Sequence, residues 1–156
     1  MKQKLIILFF ALQFVTSYSQ HKDEYGFDFE LRSGTAFLIP SWNNIFNTIT
    51  MPHSVFNELM DKYGYEFILD KNYWWKMSEL DNCDFFIEKD KYSISFIWKN
   101  VNIDTQELED NFEQYLVKKL ENGMKIYSIQ LENNSSFEMR IFNYQKLGVV
   151  SFERKL

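Results

Sequence analysis

The chain is poor in the residues that staple, bend or break a polypeptide. Its 156 residues include one cysteine, two prolines and five glycines. A single cysteine, Cys83, cannot close an intramolecular disulfide, so the fold has to stand on its hydrophobic core. Cys83 lies beside Asp84 and Phe85 in a strand-like run, where a free thiol reads as a small buried apolar group. The sequence offers it no base, and so gives no sign of a nucleophile. Few glycines and prolines, with no low-complexity stretch, exclude a long flexible linker.

Histidine is equally scarce, with only His21 and His53. Neither belongs to an H-E-x-x-H or paired C-x-x-C pattern. A Gly-rich phosphate loop and a G-x-S-x-G elbow are also missing. These absences lead to the expectation of no cofactor, no metal and no recognisable catalytic set. Basic residues are outnumbered, 17 against 22 acidic, for a net charge of −5. Affinity for nucleic acid comes from neutralising phosphates with Lys and Arg, so no nucleic-acid partner is expected.

Long apolar runs are limited to one. Lys2 and Lys4 precede Leu5–Val15, which only Gln13 interrupts, and Ser17-Tyr18-Ser19 follows. Charged, apolar and small residues in that order form a secretory signal. The expected organisation is a signal peptide over residues 1–19 and one α+β domain over residues 20–156. The apolar run falls short of the roughly 20 residues that span a bilayer. Cys83 is too far from the cleavage region to carry a lipid. The expected product is exported, periplasmic or secreted, and not stably inserted in a membrane. It would carry 15 basic against 22 acidic residues, a net charge of −7.

Aromatic residues are what the chain has in excess, at 19%. Phe9, Phe10, Phe14 and Tyr18 would leave with the signal, but Trp42, Trp74, Trp75 and Trp98 stay. Such a composition suits packed sheet. Residues 20–34 read as a loosely held arm with a strand at Tyr25–Leu31, broken by Ser33-Gly34. A short strand, Thr35–Ile39, ends at Pro40-Ser41. The spacing of Val55, Phe56, Leu59, Met60 and Tyr63 predicts a helix over Pro52–Tyr63, stopped by Gly64. Strands follow at Tyr65–Leu69, Tyr73–Met77, Cys83–Glu88 and Tyr92–Trp98. A second helix is expected over Gln106–Asn122, with Asp104 and Glu107 in capping positions and a stripe of Leu108, Phe112, Tyr115, Leu116 and Leu120. Strands Lys125–Leu131, Phe137–Tyr144 and Val149–Arg154 close the chain. The order is thus β-α-ββββ-α-βββ, with two helices packed on antiparallel meander sheets. It has the outline of two helix–meander units.

Strand registers can be anticipated from which faces become apolar. A turn at Lys89-Asp90 sets Ile87 opposite Tyr92, Phe85 opposite Ile94 and Cys83 opposite Phe96. A turn at Asn133-Asn134-Ser135 sets Leu131 near Phe137, Ile129 near Met139 and Tyr127 near Ile141. A turn at Gln145-Lys146 sets Ile141 near Val150 and Met139 near Phe152. Phe86, Ile97, Phe142 and Tyr144 then point away from the core, towards further helices or a ligand.

Candidate sites follow from the same layout. Tyr73-Trp74-Trp75 alternates across a strand, so one tryptophan faces the core and the other does not. An outward ring beside Tyr73 or Trp42 would make a contact patch for a protein, peptide or sugar. The candidate ligand-binding residues are therefore Trp42, Tyr73, Trp74 and Trp75. Carboxylates at Asp28, Glu30, Glu79, Asp81 and Asp84 could support a carboxylate-based hydrolase if two of them share a cleft. The segment Glu79–Asp84 lacks the glycine and spacing of a calcium loop. Residues Asn133-Asn134-Ser135-Ser136 carry overlapping N-x-[ST] sequons in a turn.

Phe37-Leu38-Ile39-Pro40-Ser41-Trp42 resembles the strand-to-Pro-Trp opening of the PsbP-like α/β/α proteins. That resemblance implies an exported, non-enzymatic accessory protein. The chain departs from the family in ending on a strand, where a further helix is expected. The sequence as a whole points to a small exported binding or accessory protein without catalysis. A carboxylate-based hydrolase and an inhibitor or immunity-type partner, acidic towards a basic target, are the alternatives.

Overall fold

The computed structural model describes residues 20–22, 26–130 and 135–155, the first three by their backbone alone. The expected signal peptide and the Asn133-Asn134 turn fall outside the described residues. Among the described residues the fold is α+β, with an antiparallel eight-stranded sheet and three α-helices. A small three-stranded sheet comes first: β1 (Gln20–Lys22), β2 (Asp28–Arg32) and β3 (Thr35–Leu38). Helices α1 (Trp42–Thr50) and α2 (His53–Lys62) follow, then β4 (Glu66–Ile68), β5 (Tyr73–Ser78), β6 (Cys83–Lys89) and β7 (Ser93–Lys99). The second half contains α3 (Gln106–Phe112), β8 (Leu116–Lys119), β9 (Lys125–Gln130), β10 (Ser136–Tyr144) and β11 (Leu147–Lys155).

The main sheet runs β4-β5-β6-β7-β11-β10-β9-β8. Two four-stranded meanders therefore meet through their last strands. Their junction has a local two-fold character: Ser95 pairs with Ser151, and the flanking pairs are Ile94 with Phe152 and Phe96 with Val150. Alternation along the strands gives the main sheet one core face. Cys83, Phe85, Ile87, Ile94, Phe96, Trp98, Val150, Phe152, Met139, Ile141, Tyr127 and Ile129 are all buried there.

The helices and the small sheet pack on that core face. Phe56 of α2 meets Trp74 edge-on at 4.9 Å, and Trp42 of α1 contacts Phe152 at 5.7 Å. Phe37 of β3 stacks on Phe85 at 4.1 Å. Polar links fix the small sheet in place. The Tyr65 hydroxyl accepts the Leu38 N–H at 2.9 Å, and Lys76 Nζ donates to the Ala36 carbonyl at 2.7 Å and to the Tyr63 carbonyl. Burial lowers the pKa of that ammonium, which also lies near the rings of Phe37 and Tyr65.

Several expectations are corrected. The N-terminal arm is not loosely held: β2 pairs with both β1 and β3, and Phe27 and Phe29 lie in the core. The Ser33-Gly34 break is a two-residue hairpin turn with both residues at positive φ (43° and 84°), the backbone twist that suits such a loop. Helix α1 was not expected. Ser41 caps it by accepting the Asn44 N–H at 3.2 Å. Three asparagines and two threonines in its nine residues mask the spacing of Ile45, Thr48 and Ile49. It stops at Met51 because Pro52 follows.

The helix expected over Gln106–Asn122 lasts only seven residues. It tightens into a 3₁₀ turn at Glu113–Tyr115 and becomes edge strand β8. The stripe is nevertheless real, since Leu108 and Phe112 are buried on the helix and Leu116 sits opposite Tyr127 on the strand. Asp104 does not form the expected reciprocal cap. It accepts the Gln106 N–H at 2.9 Å, while Thr105 is the capping residue and bonds Glu109. Lys118 and Lys119 protect the sheet edge from further pairing.

Two of the three registers slip by an even number of residues, which keeps every side chain on its expected face. Ile87 pairs with Phe96 and Phe85 with Trp98. The cause is Asp90, whose Oδ1 accepts the N–H groups of both Tyr92 and Ser93 at 2.7 Å, so the turn needs more residues than Lys89-Asp90. Ile129 pairs with Phe137 and Tyr127 with Met139. The third register, Ile141 with Val150 and Met139 with Phe152, is as expected.

The Asp90 turn carries a testable cost. Burial opposes its charge, but the hydrogen bonds from Tyr92 and Ser93 outweigh it and lower the carboxyl pKa. The sign is that of a depressed acid: the stabilisation is present above the ordinary aspartate value of about 3.9 and is lost as pH falls through the lower folded value. Asp90→Ala is expected to cost about 1 kcal/mol in urea unfolding at pH 7, with the gap to wild type narrowing as pH falls to 3. Asp90→Asn, a neutral acceptor like the protonated acid, should recover only the part of the loss that survives at low pH. A gap unchanged between the two pH values would count against this account.

Candidate functional site

The four expected binding residues do not converge. Trp74 is 1% exposed and packs between His53, Phe56 and Phe67. Trp42 is exposed on α1, on the core side of the sheet, against Phe46, Phe112 and Phe152. Tyr73 and Trp75 alternate with Trp74 along β5 and so lie on the opposite face, both half-buried. One of the adjacent tryptophans is thus in the core and the other out of it, as the alternation requires.

On that outer face Trp75 belongs to a larger feature. Trp75 pairs with Phe86, Phe86 with Ile97, Ile97 with Val149, and Val149 with Phe142. These five side chains form one row across β5, β6, β7, β11 and β10, and each is half-buried. Tyr73 meets Phe86 edge-on at 5.2 Å, and Met77, Leu147 and Tyr144 add exposed apolar surface on one side of the row. Among the described residues, every ring contact between a helix and the main sheet falls on the other face. The sequence indicated Phe86, Ile97, Phe142 and Tyr144 as outward. It did not indicate the row, because that depends on the β7–β11 pairing, which joins distant parts of the chain.

Most charges on this face are compensated within it; Glu66 and Glu88 also face this side and, among the described residues, have no ion pair. Asp84 lies opposite Lys99 and accepts the Trp75 Nε1–H at 3.0 Å. Lys99 Nζ sits 4.9 Å from the Phe86 ring centre. Arg140 and Lys155 pair with Glu138 and Glu153. At the junction of the meanders, where Ser95 and Ser151 are small, the face has a hollow of about 340 Å³ walled by Glu88, Arg140 and Phe142.

The carboxylates go to separate places. Asp28 is buried and accepts the hydroxyl of Ser41 and the amide of Asn43, beside a cleft of about 350 Å³ next to Trp42. Glu79 borders another surface depression, and Asp84 lies on the outer face. Only Glu30 and Asp81 share a cleft, of about 650 Å³, together with Arg32, Asp104 and Lys146. Burial raises the Glu30 pKa; the contacting Arg32 opposes that rise and Asp104 adds to it. Asp81 accepts hydroxyls from Ser33 at 2.9 Å and Ser78 at 3.1 Å, which ties the β2–β3 turn to the β5–β6 turn. Arg32 donates to the Asn102 carbonyl at 2.9 Å. These bonds hold the small sheet to the loops of the main one. Cys83 is buried at the cleft wall, where burial raises its thiol pKa. Among the described residues, no group of three or more His, Cys, Asp or Glu side chains could hold a metal ion, and no helix is long and apolar enough to cross a membrane.

Comparison with protein-family models, curated proteins and solved structures finds no match to this chain. The PsbP-like resemblance gains no support from the architecture, since the ring contacts of the described helices fall on one face of the main sheet.

Proposed function

We propose that this is a small exported, non-catalytic binding or accessory protein that works by packing the outer face of its main sheet against another protein surface. The observation that carries this reading is the unbroken row Trp75–Phe86–Ile97–Val149–Phe142 on a face with no helix ring contact among the described residues. An antiparallel sheet with one solvated face ordinarily alternates to polar residues there. A contiguous apolar patch with a polar rim marks an interaction surface. Trp42 lies apart from this face and is left out of the proposed surface.

Radical footprinting tests the reading by comparing the purified chain at high dilution with the same chain in the fraction of its own cells to which it is exported. The expected result is protection of Trp75, Phe86, Phe142 and Tyr144 in the cell fraction, with labelling of Trp42 unchanged. Equal labelling of the row in both samples would sink the proposal. Carboxylate-based hydrolysis at Glu30 and Asp81 is the second reading, favoured by the raised Glu30 pKa inside a shared cleft. It requires Glu30→Gln to abolish an activity that the first reading says is absent.

A further inference from the structure

We infer that the occupant of the outer face, which no described helix covers, is a second copy of this chain, packed sheet-on-sheet as a two-fold dimer. The inference rests on the proposed role of that face and names its partner. Size is the first argument. Eight strands spaced about 4.8 Å apart, each about 20 Å long, give a face of roughly 700 Å². A standard specific interface buries about 800 Å² per partner, so one copy of this face nearly supplies what one side of a stable dimer needs.

Symmetry is the second argument. A two-fold interface must be complementary to itself. About the β7–β11 junction the row reads Phe86, Ile97, Val149, Phe142: aromatic, branched, branched, aromatic. Turning the face by half a turn therefore presents nearly the same profile. With the two-fold axis between the sheets and along the strands, Phe86 of one copy faces Phe142 of the other and Ile97 faces Val149. Sheets packed at about 30° and about 10 Å apart accommodate such pairs. The hollow beside Ser95 and Ser151 lies two residues along the strands from this row.

Charge is the third argument. Asp84 with Lys99, and Arg140 and Lys155 with Glu138 and Glu153, are already compensated within the face. A strongly basic or acidic partner would gain little from such a surface and would leave part of its own charge unpaired. A copy of the same face, whose charges are mostly paired within it, brings few unpaired charges, Glu88 beside the hollow among them. The edge strands do not offer a competing route: β4 has three residues, and β8 carries a bulge and two lysines.

Sedimentation of the full chain, produced in a host that exports it, over low to high micromolar concentration is the test. Mass spectrometry of the same sample records where its N-terminus lies. The expected result is a concentration-dependent monomer–dimer equilibrium, weakened at least tenfold by Phe86→Asp and by Ser95→Lys. Ser95→Lys puts a charge in the hollow without removing an apolar group, so it covers the case in which Phe86→Asp fails to fold. A wild-type chain that stays monomeric throughout overturns the dimer. So does a dimer that Ser95→Lys leaves intact, or a face covered by a retained residue 1–19 segment. If the wild type is monomeric yet the row is footprint-protected in cell extract, the dimer fails and the binding role stands. If it is monomeric and unprotected, both fail.

Discussion

Gly148→Ala is expected to destabilise the chain by about 3 kcal/mol or more, at or beyond the upper end of ordinary overpacking. Gly148 pairs with Trp98 across the β7–β11 junction. A Cβ built on Gly148 would lie 2.0 Å from Cζ2 and 2.1 Å from Cε2 of the indole. Trp98 is fully buried, so the ring has no solvent to swing into. The glycine is therefore needed for close approach and not for its backbone freedom. The Trp98 Nε1 atom has no hydrogen-bond partner, so a smaller ring there orphans no acceptor. Trp98→Phe should thus rescue Gly148→Ala in part: the double variant should be at least 1 kcal/mol more stable than the two single losses added together. Urea unfolding of the four proteins measures this. A Gly148→Ala loss under 1 kcal/mol, or strict additivity, would show that the indole can move aside.

That junction also marks the limit of what the sequence discloses. Local patterns carried the faces of the central strands. The alternation in Cys83–Lys89 and Ser93–Lys99 is enough to give the core face, and the Gln145-Lys146 turn is enough to give the register between β10 and β11. Where a side chain captures backbone groups, local patterns mislead. Asp90 lengthens its turn by bonding two N–H groups, and the pairing slips while the faces survive. Helix α1 is hidden for a related reason. Thr48 and Thr50 return hydrogen bonds to carbonyls one turn back, and Asn44 serves the neighbouring hairpin, so the residues that look like loop are occupied by bonds within the helix and, at Asn44, by tertiary ones. The long helix expected after Gln106 fails because a stripe at helical spacing can be shared between a short helix and a strand; only the pairing of Leu116 with Tyr127 decides. The candidate site divides in the same way. That one of Trp74 and Trp75 faces outward needs only the alternation of β5. The row that Trp75 joins needs β7 and β11 to be neighbours, and no pattern in either strand announces that.

The second large effect is expected at Asn44, which is fully buried in α1. Its Oδ1 accepts the Asp28 N–H at 2.9 Å, and its Nδ2 donates to the carbonyls of Asp28 and Ile39, both at 2.7 Å. One amide thus joins α1 to the start of β2 and to the end of the hairpin that carries Phe37 and Leu38 into the core. Asn44→Ala would remove all three bonds. The Asp28 carbonyl keeps a bond from the Ile39 N–H at 3.3 Å and the Ile39 carbonyl one from the Ser41 N–H at 2.9 Å. At about 1 kcal/mol for each of the three bonds lost, a loss of about 3 kcal/mol is expected in urea unfolding. Asn44→Asp separates hydrogen bonding from packing, because it preserves shape while reversing the donor. At neutral pH a carboxylate would face two carbonyl oxygens, and burial and repulsion would raise its folded pKa above the ordinary aspartate value. For a raised acid the sign is opposite to that of Asp90: stability falls as pH rises from the unfolded pKa through the folded one. The Asn44→Asp deficit should therefore be largest at pH 7 and shrink towards pH 4, where the protonated group can again donate to one carbonyl. The Asn44→Ala deficit should not shrink in that way. If both deficits follow the same pH course, the amide acts by filling space and the hydrogen-bond account of how α1 is locked to the hairpin is wrong.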